Sequence, residues 1–335
     1  MQSGLKFFCI LIFCGTAVQA QYHPFDTMPA SAESAGLAGN SLSIKDRNMN
    51  IYSNPALLAG TDRTTVSGGL YFSGKGRTTS AVLPSQAGMY VPYSENLGFG
   101  FRMKSTFGNN FPYEKKVTLF SSQIFAAYRM NSFYFFAGLG PSLAYRGREQ
   151  SNYSGSFSAG VSYEWNRVIV SFSAERPGLN FRFRAFRDSD RLQERFPDIL
   201  SFALGYSISD SIQISWETKR VLYENSVYKL NDSDSRPDYE RGIGGKWKTG
   251  AGIQYELKEE SVWKFRAGGE FGGIYDEKGR SRRSFGLGLG LTMEPSSAES
   301  SPSFSFSILD YSLFHTKGER PREAFYYFSA GVSWK

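Results

Sequence analysis

The chain has 335 residues, of which 41% are hydrophobic, 16% aromatic and 21% charged, with a formal net charge of +7. This composition is too apolar and too aromatic for a disordered chain. The basic excess is spread along the sequence, so we expect no nucleic-acid partner. A mean hydropathy of −0.35, without an apolar run of about 18 residues beyond the N-terminus, excludes a bundle of membrane-spanning helices. The remaining classes are a large globular domain and a transmembrane β-barrel, whose lipid-facing and lumen-facing residues alternate.

Residues 1–20 have the layout of a secretory signal peptide. Lys6 supplies a positive charge, residues 7–13 form a short apolar run, and residues 18–20 offer a small-residue cleavage site. The sequence therefore predicts a mature chain that starts at Gln21. Both cysteines of the chain lie in the removed segment, so the mature chain is expected to have no disulfide and no cysteine-ligated metal.

Residues 21–62 do not show the strand pattern of the rest of the chain. The stretch 31–39 is rich in Ser, Ala and Gly, and 48–59 is typical of a turn that leads into a short helix or loop. Irregular backbone is tolerated at membrane depth only where protein surrounds it. We therefore predict that residues 21–62 form a hatch inside a barrel. Proline fixes φ and lacks a backbone N–H, so the turn of Asn54, Pro55 and Ala56 is the predicted hinge of this hatch.

From about residue 63 onward, apolar residues alternate with small or polar ones at a period of two. Several alternating runs reach about ten residues, the length that a tilted strand needs to cross the hydrocarbon, whereas strands of a soluble β-sandwich usually have about five or six. Residues 63–335 are therefore predicted as an all-β domain, a transmembrane antiparallel β-barrel. Division at the turn signals predicts fourteen strands, over residues 63–73, 77–91, 95–106, 115–130, 132–147, 151–165, 167–176, 198–208, 211–223, 246–257, 261–275, 282–293, 302–313 and 324–334.

The connections between these strands predict a bacterial outer-membrane location. Most connections after even-numbered strands are tight, whereas those after odd-numbered strands include the long polar segments 176–197 and 224–245. Tryptophans support the same interpretation, because four of the five lie at the end of a predicted strand, where an aromatic girdle meets lipid headgroups. These four are Trp165, Trp247, Trp263 and Trp334, whereas Trp216 is in mid-strand. The expected partners are therefore membrane lipid and lipopolysaccharide.

Two motifs near the N-terminus resemble the signature of the FadL-like outer-membrane proteins, including the PorV and PorQ branch associated with type IX secretion. They are AGLAGN at 35–40 and YSNPALLA at 52–59. The run 54–72 is similar to the family's junction between hatch and first strand, and residues 310–313 and 325–334 resemble its last hairpin. The resemblance implies a fourteen-stranded barrel with an N-terminal hatch and, in transporting members, a passage for hydrophobic molecules. The chain is shorter than typical fatty-acid transporters of the family, and it ends in Lys rather than the usual aromatic residue.

The sequence offers little for enzymatic chemistry. Of the two histidines, His23 follows the predicted cleavage site and His315 lies in a predicted external loop. No Ser/His/Asn arrangement stands out, and neither cysteines nor paired histidines are available to bind a transition metal. We therefore expect no catalytic residue, no metal and no cofactor.

The predicted external segment 180–197 carries the most distinctive side chains. Arg182, Arg184 and Arg187 are interleaved with Phe181 and Phe183. Arginine forks suit carboxylates and phosphates, and phenylalanines can receive an acyl chain or a partner surface, so these five residues are candidates for ligand or partner binding. The alternative is a solvated loop in which nearby acidic residues neutralise the arginines.

Charged residues predicted to face the lumen carry both signs, and they would either form transverse ion pairs that brace the plugged barrel or line a wet pore. They are Arg102, Glu164, Glu175, Glu217, Lys219, Lys248, Glu256, Arg266 and Glu270. Two functions follow from a hatch-plugged barrel. The first is passive transport of hydrophobic or amphipathic small molecules across the outer membrane. The alternative is a docking or shuttle component that binds secretion-system proteins and does not transport.

Overall fold

The structure is a computed structural model that describes residues 29, 31–75, 78–79, 83–110, 115–146, 150–178, 181–184, 191–195, 197–222, 227–230, 233–234, 247–275, 281–295, 300–310 and 323–335. The predicted signal peptide, both histidines and Arg187 lie outside the described residues. No helix in the described ranges is long and apolar enough to cross a membrane.

Fourteen antiparallel strands close into one barrel. Each strand pairs with its neighbours along the chain, and the last strand pairs with the first over its whole length, with Thr64 opposite Trp334. Closure leaves the barrel wall without an unpaired edge, and the predicted fold class is confirmed. The strands are β1 (Thr64–Lys75), β2 (Leu83–Pro92), β3 (Leu97–Asn110), β4 (Lys115–Met130), β5 (Phe133–Arg146), β6 (Gln150–Trp165), β7 (Val168–Arg176), β8 (Asp198–Ser207), β9 (Ile212–Leu222), β10 (Trp247–Lys258), β11 (Ser261–Tyr275), β12 (Ser281–Pro295), β13 (Ser300–Asp310) and β14 (Glu323–Trp334).

The second strand differs from its predicted bounds of 77–91. It begins at Leu83, and Thr78–Thr79 forms a separate short pairing beside β1. The register between β1 and β2 shifts between Gly69 and Leu70, where Leu70 lies opposite Pro84. Pro84 lies within β2 beside this shift and has no backbone N–H to donate to the ladder.

The two ends of the barrel differ in the length of their connections. On one side, here called the turn side, tight hairpins join β4 to β5 and β6 to β7, and Asn131 and Asn166 adopt positive φ values of 55° and 53°. Asparagine tolerates this left-handed conformation, which two-residue hairpins favour. On the opposite side, here called the loop side, the segments 177–197 and 223–246 join the strands. Part of these segments forms a four-stranded antiparallel sheet, of Phe181–Arg184, Arg191–Arg195, Val227–Leu230 and Ser233–Asp234, where the sequence predicts loops.

The outer face of the wall is apolar. Large side chains such as Ile124, Leu139 and Phe304 are 68%, 70% and 52% exposed. Their alternation with buried neighbours is the pattern of a wall that meets hydrocarbon on one face. Trp165, Trp247 and Trp334 are also exposed and lie at strand ends. Trp216 is exposed in mid-strand.

Residues 31–59, here called the plug, lie inside the barrel. The plug contains helix α1 (Ala32–Gly36), helix α2 (Arg47–Asn50) and a 3₁₀-helix over Pro55–Leu58. Ser31 Oγ accepts a hydrogen bond of 3.1 Å from Ser34 N, and Asp46 Oδ1 accepts one of 3.2 Å from Met49 N, so side chains cap both α-helices. Because nearly every plug residue is buried against the wall, the plug is the core of the molecule.

Candidate functional site: the plug and its attachments to the barrel wall

Glycines of the wall let the plug backbone approach closely. A Cβ atom on Gly288 of β12 would lie 2.1 Å from the carbonyl oxygen of Ala35, and one on Gly268 of β11 would lie 2.3 Å from that of Leu37. Only a residue without a side chain fits at these two positions. The glycine alternation in β12 therefore makes room for the plug.

Two apolar clusters lie between the plug and the wall. Ala32, Ala35 and Ala38 pack against Tyr71, Leu309, Phe325 and Tyr327, and the rings of Tyr71 and Tyr327 stack with centroids 5.4 Å apart. Residues of the second cluster come from the plug segment 51–59 and from strands β2, β4, β5 and β7. The alanines of α1 are small, so they cover the three aromatic rings with little side-chain bulk.

A charged clasp on β9 holds the plug at residues 39–42. Glu217 Oε2 accepts hydrogen bonds from the backbone N–H groups of Ser41 and Leu42, at 2.8 and 3.0 Å. Lys219 Nζ donates to the carbonyl oxygen of Gly39 at 2.7 Å and lies 3.4 Å from Glu217 Oε1. The two side chains are two residues apart on one strand, so both face the lumen. Together they satisfy two backbone N–H groups and one carbonyl oxygen of the same plug turn.

Asn40 adds a contact of a different kind to the same turn. Its side-chain Nδ2 donates to the carbonyl oxygens of Ala251 and Gly269, at 3.3 and 3.2 Å, and to that of Leu37 at 2.8 Å. Ala251 and Gly269 face each other across β10 and β11. One plug side chain therefore bridges two strands of the wall.

A second charged clasp centres on Asp46. Its Oδ2 accepts from Lys264 Nζ at 3.0 Å and from Arg266 Nη2 at 2.8 Å. Burial alone would raise the pKa of this carboxyl group, but the charges of Lys264 and Arg266 hold the pKa well below its usual range. Lys264 also lies 2.7 Å from Glu294 Oε1, so its charge is shared between plug and wall.

Arg102 of β3 fixes the plug near the predicted hinge. Its Nη1 donates to the carbonyl oxygen of Tyr52 at 2.8 Å. Its other nitrogens donate to Gln123 Oε1 at 3.0 and 2.8 Å and to Ser158 Oγ at 2.6 Å. The guanidinium is thereby held rigidly by wall side chains, as a planar fork with several donors allows.

Asn54, Pro55 and Ala56, the predicted hinge, are all buried. Asn54 Nδ2 donates to the carbonyl oxygen of Leu42 at 2.6 Å and to Ser162 Oγ at 2.9 Å. Pro55 is the first residue of the 3₁₀-helix, where its missing N–H costs nothing. Asn54 thus attaches the turn both to the plug, at Leu42, and to the wall, at Ser162. The hinge function of this turn stays a prediction.

The five arginines and phenylalanines of the predicted ligand-binding segment are not brought to the plug by any described contact. Phe181, Arg182, Phe183 and Arg184 form one short strand of the loop-side sheet, paired with Arg191–Arg195. Their side chains lie outside the described part of the structure, as does Arg187. Their role in binding stays a prediction.

The charged residues predicted to face the lumen do so, and ion pairs join several of them. Lys104 of β3 reaches Glu175 of β7 at 2.9 Å, across the lumen, and Lys45 of the plug reaches Glu164 at 2.6 Å. Lys248 lies 3.6 Å from Glu270. Lys104–Glu175 is a transverse pair of the kind that the bracing hypothesis predicts, whereas Lys45–Glu164 joins the plug to the wall and Lys248–Glu270 joins neighbouring strands.

Sequence reasoning missed three residues of the attachments, namely Asn40, Asp46 and Lys264. Asn40 lies within the AGLAGN motif, and Asp46 is a typical N-cap residue before a short polar run, so both had a local signal. Lys264 had only its place in the alternation of β11. Among the described residues, no group of three or more His, Cys, Asp or Glu side chains is arranged to hold a metal ion.

No family model and no curated protein matches the sequence. Solved structures do match. A Pseudomonas aeruginosa FadL homologue has a TM-score of 0.61 at 12% identity, over 96% of this chain and 99% of that chain. The monoaromatic hydrocarbon channel CymD has a TM-score of 0.64 at 13% identity, over 93% and 98%. The Pseudomonas putida toluene transporter TodX has a TM-score of 0.63 at 12% identity, over 94% and 99%.

These likenesses establish the fold. The chain has the β-barrel fold of the FadL-like proteins, which confirms the predicted fold and the predicted resemblance. The relation to the PorV and PorQ branch stays a prediction.

Proposed function

We propose that this chain is an outer-membrane channel for hydrophobic or amphipathic small molecules, and that the plug is its gate. The fold supports a transporting barrel, because more than nine-tenths of the chain matches proteins named as toluene and monoaromatic hydrocarbon channels. The observation that carries the proposal is the way the plug is held. It lies inside the barrel and is held by charged clasps at Glu217 and Asp46 and by individual hydrogen bonds from other wall side chains.

The apolar cluster beneath α1 offers a site at which a solute would act. Tyr71, Phe325 and Tyr327 are covered there by the alanines of α1. An apolar solute that enters from the loop side gains free energy by covering the same rings, at roughly 25 cal/mol for each Å² of apolar surface removed from water. It therefore competes with α1 for the cluster. Displacement of α1 would strain the neighbouring clasp at Gly39, Ser41 and Leu42, and the plug would open.

Uptake into intact cells tests the proposal, because the lipopolysaccharide leaflet of such cells retards hydrophobic probes. The chain is expressed in bacteria that lack an uptake channel for the probe, and entry of radiolabelled toluene and of radiolabelled palmitate is compared with that in cells carrying the empty vector. We expect faster entry of at least one probe. Equal rates for both probes, with correctly folded barrel in the outer membrane, would reject transport.

The docking alternative makes the opposite prediction in the same cells. If the barrel serves protein secretion, uptake stays at the vector level, and chemical cross-linking in the native organism joins the loop-side surface to one secreted or secretion-system protein. Uptake at the vector level, together with a cross-link between the loop-side surface and one such protein, would favour this alternative.

A further inference from the structure

The outer face of the barrel carries a long apolar depression over strands β8 to β13. One part of it has a volume of about 760 Å³, and it continues into a second cavity of about 470 Å³ that shares Ile253, Ala267 and Leu289 with the first. We call this continuous depression the trough. Its described lining includes Leu204, Trp216, Ala251, Ile253, Ala267 and Leu289.

The trough arises because small residues lie on two neighbouring strands. Ala251 of β10 lies opposite Trp216 of β9, and Ala267 of β11 lies opposite Leu289 of β12. The two alanines therefore lack the bulk of the side chains that flank them. Such a gap in a wall that meets hydrocarbon leaves room for a slender apolar group, and the flanking tryptophan and leucine would contact its sides.

The trough lies at the middle of the bilayer. On β10, Trp247 precedes Ala251 by four residues toward the loop side, and on β11, Trp263 precedes Ala267 by four residues toward the turn side. At roughly 3.3 Å per residue, each tryptophan is about 13 Å along its strand from the trough. Tryptophans mark the two headgroup levels, so the trough faces acyl chains rather than headgroups.

A cationic side chain, Arg220, lies between the trough and the loop-side end of the barrel wall. Arg220 lies opposite Trp247 in the pairing of β9 and β10, and its guanidinium lies 5.4 Å from the centre of the Trp247 ring. Arg220 is four residues along β9 from Trp216, which lines the trough. Arginine at the headgroup level attracts phosphate, with which its fork can form two parallel hydrogen bonds.

We propose that this part of the wall binds lipopolysaccharide specifically, with one acyl chain of lipid A in the trough and a lipid A phosphate at Arg220. Two observations select this occupant. The cation is on the loop side, and the long loops of an outer-membrane barrel face the cell exterior, so the phosphate belongs to the outer leaflet. The distance between cation and trough corresponds to the span from a headgroup to the middle of an acyl chain.

Native mass spectrometry of the full-length barrel in mild detergent tests this proposal, with purified lipid A added at a fixed ratio. The wild type is expected to retain one lipid A molecule. In the double variant Ala251→Leu, Ala267→Leu, which fills the trough, and in Arg220→Gln, the retained fraction is expected to fall about tenfold, the loss typical of one charge-assisted or well-packed contact. Ala137→Leu is the matched control, since Ala137 is also exposed on the outer face but lies on β5.

Folding and specificity are measured in the same preparations. Heat-modifiable migration on gels shows which variants form a closed barrel, and only those are compared. Retention of lipid A by the filled variant at the wild-type level would overturn the proposal. So would displacement of lipid A by an equal amount of phosphatidylethanolamine, or a barrel dimer that forms on this face and excludes lipid A. Loss of lipid A in both variants, with retention in the control, would support it.

Discussion

Substitution of Gly288 by alanine is the sharpest test of the close contact between the plug and wall glycines Gly268 and Gly288, here called the seat. The new Cβ atom would lie 2.1 Å from the carbonyl oxygen of Ala35 and 2.6 Å from the backbone nitrogen of Ala38. Both neighbours are backbone atoms, so no side-chain rotation relieves the contact. To bring the first distance from 2.1 Å to an ordinary contact of 3.4 Å, the plug must move by about 1.3 Å.

The size of the effect follows from the cost of overpacking. An inserted methyl group in a well-packed interior costs about 1–3 kcal/mol. Here the cost falls on the plugged state alone, because without the plug the methyl group projects into the lumen. The ratio of plugged to open barrels is therefore expected to fall by about 5- to 150-fold.

Planar-bilayer conductance measures this ratio directly. We expect the fraction of time in a conducting state to rise in Gly288→Ala, and residues 31–59 to become more accessible to protease. Gly68→Ala on β1 is the matched control, because its Cβ atom would meet only the carbonyl oxygen of Gln86, at 3.6 Å. If Gly288→Ala folds into a barrel and its conductance and protease resistance match those of Gly68→Ala, the seat does not hold the plug.

Three further predictions concern the polar attachments. Asp46→Asn leaves Lys264 and Arg266 without their shared carboxylate, and we expect a loss of about 3 kcal/mol in plug stability, measured by protease protection in urea. The folded pKa of Asp46 lies below its unfolded value of about 4, so the ionised carboxylate stabilises the plug fully above that pH and less as the pH falls below it. Conductance is therefore expected to rise from about pH 4 to about pH 3 in the wild type, and to rise less in Asp46→Asn. Asn54→Ala, which removes the contacts to Leu42 and Ser162, is expected to cost about 1–3 kcal/mol in the same protease assay, whereas Pro55→Ala, which keeps those contacts, should cost less than about 1 kcal/mol.

The barrel was predictable because its main signal is local. Alternation with a period of two specifies which face of a strand is buried, and a slip of one residue would reverse every side chain. The strands predicted at 115–130 and 261–275 accordingly have the same bounds in the structure. The second strand differs from its predicted bounds: Thr78–Thr79 pairs with β1 apart from Leu83–Pro92, and the register with β1 shifts between Gly69 and Leu70.

The attachments of the plug were only partly predictable, because they depend on contacts between distant residues. Ser41 and Glu217 are 176 positions apart, and nothing in the alternation of β9 shows that Glu217 receives two plug amides. The sequence did indicate that Glu217 and Lys219 face the lumen and that the AGLAGN motif resembles a family signature. It did not indicate that the motif meets the clasp, since this depends on how deep the plug lies in the barrel.

The composition of the lumen wall bears on how the gate can be reversible. Buried serines of the wall, such as Ser162, Ser305 and Ser329, face the plug, and Ser305 and Ser329 each donate to Glu33 Oε1 at 2.7 Å. A hydrogen bond between neutral protein groups contributes only about 0.5–1.5 kcal/mol net, and one to a charged group about 1.5–3 kcal/mol, because water replaces the bond when it breaks. A plug held by such bonds can leave its seat at a modest cost, whereas an interface of the same area made of leucine would lose its full burial free energy. The same wall binds apolar solutes poorly, so a hydrophobic molecule is expected to follow the aromatic clusters around Tyr327 and Phe125 instead of the serine rows.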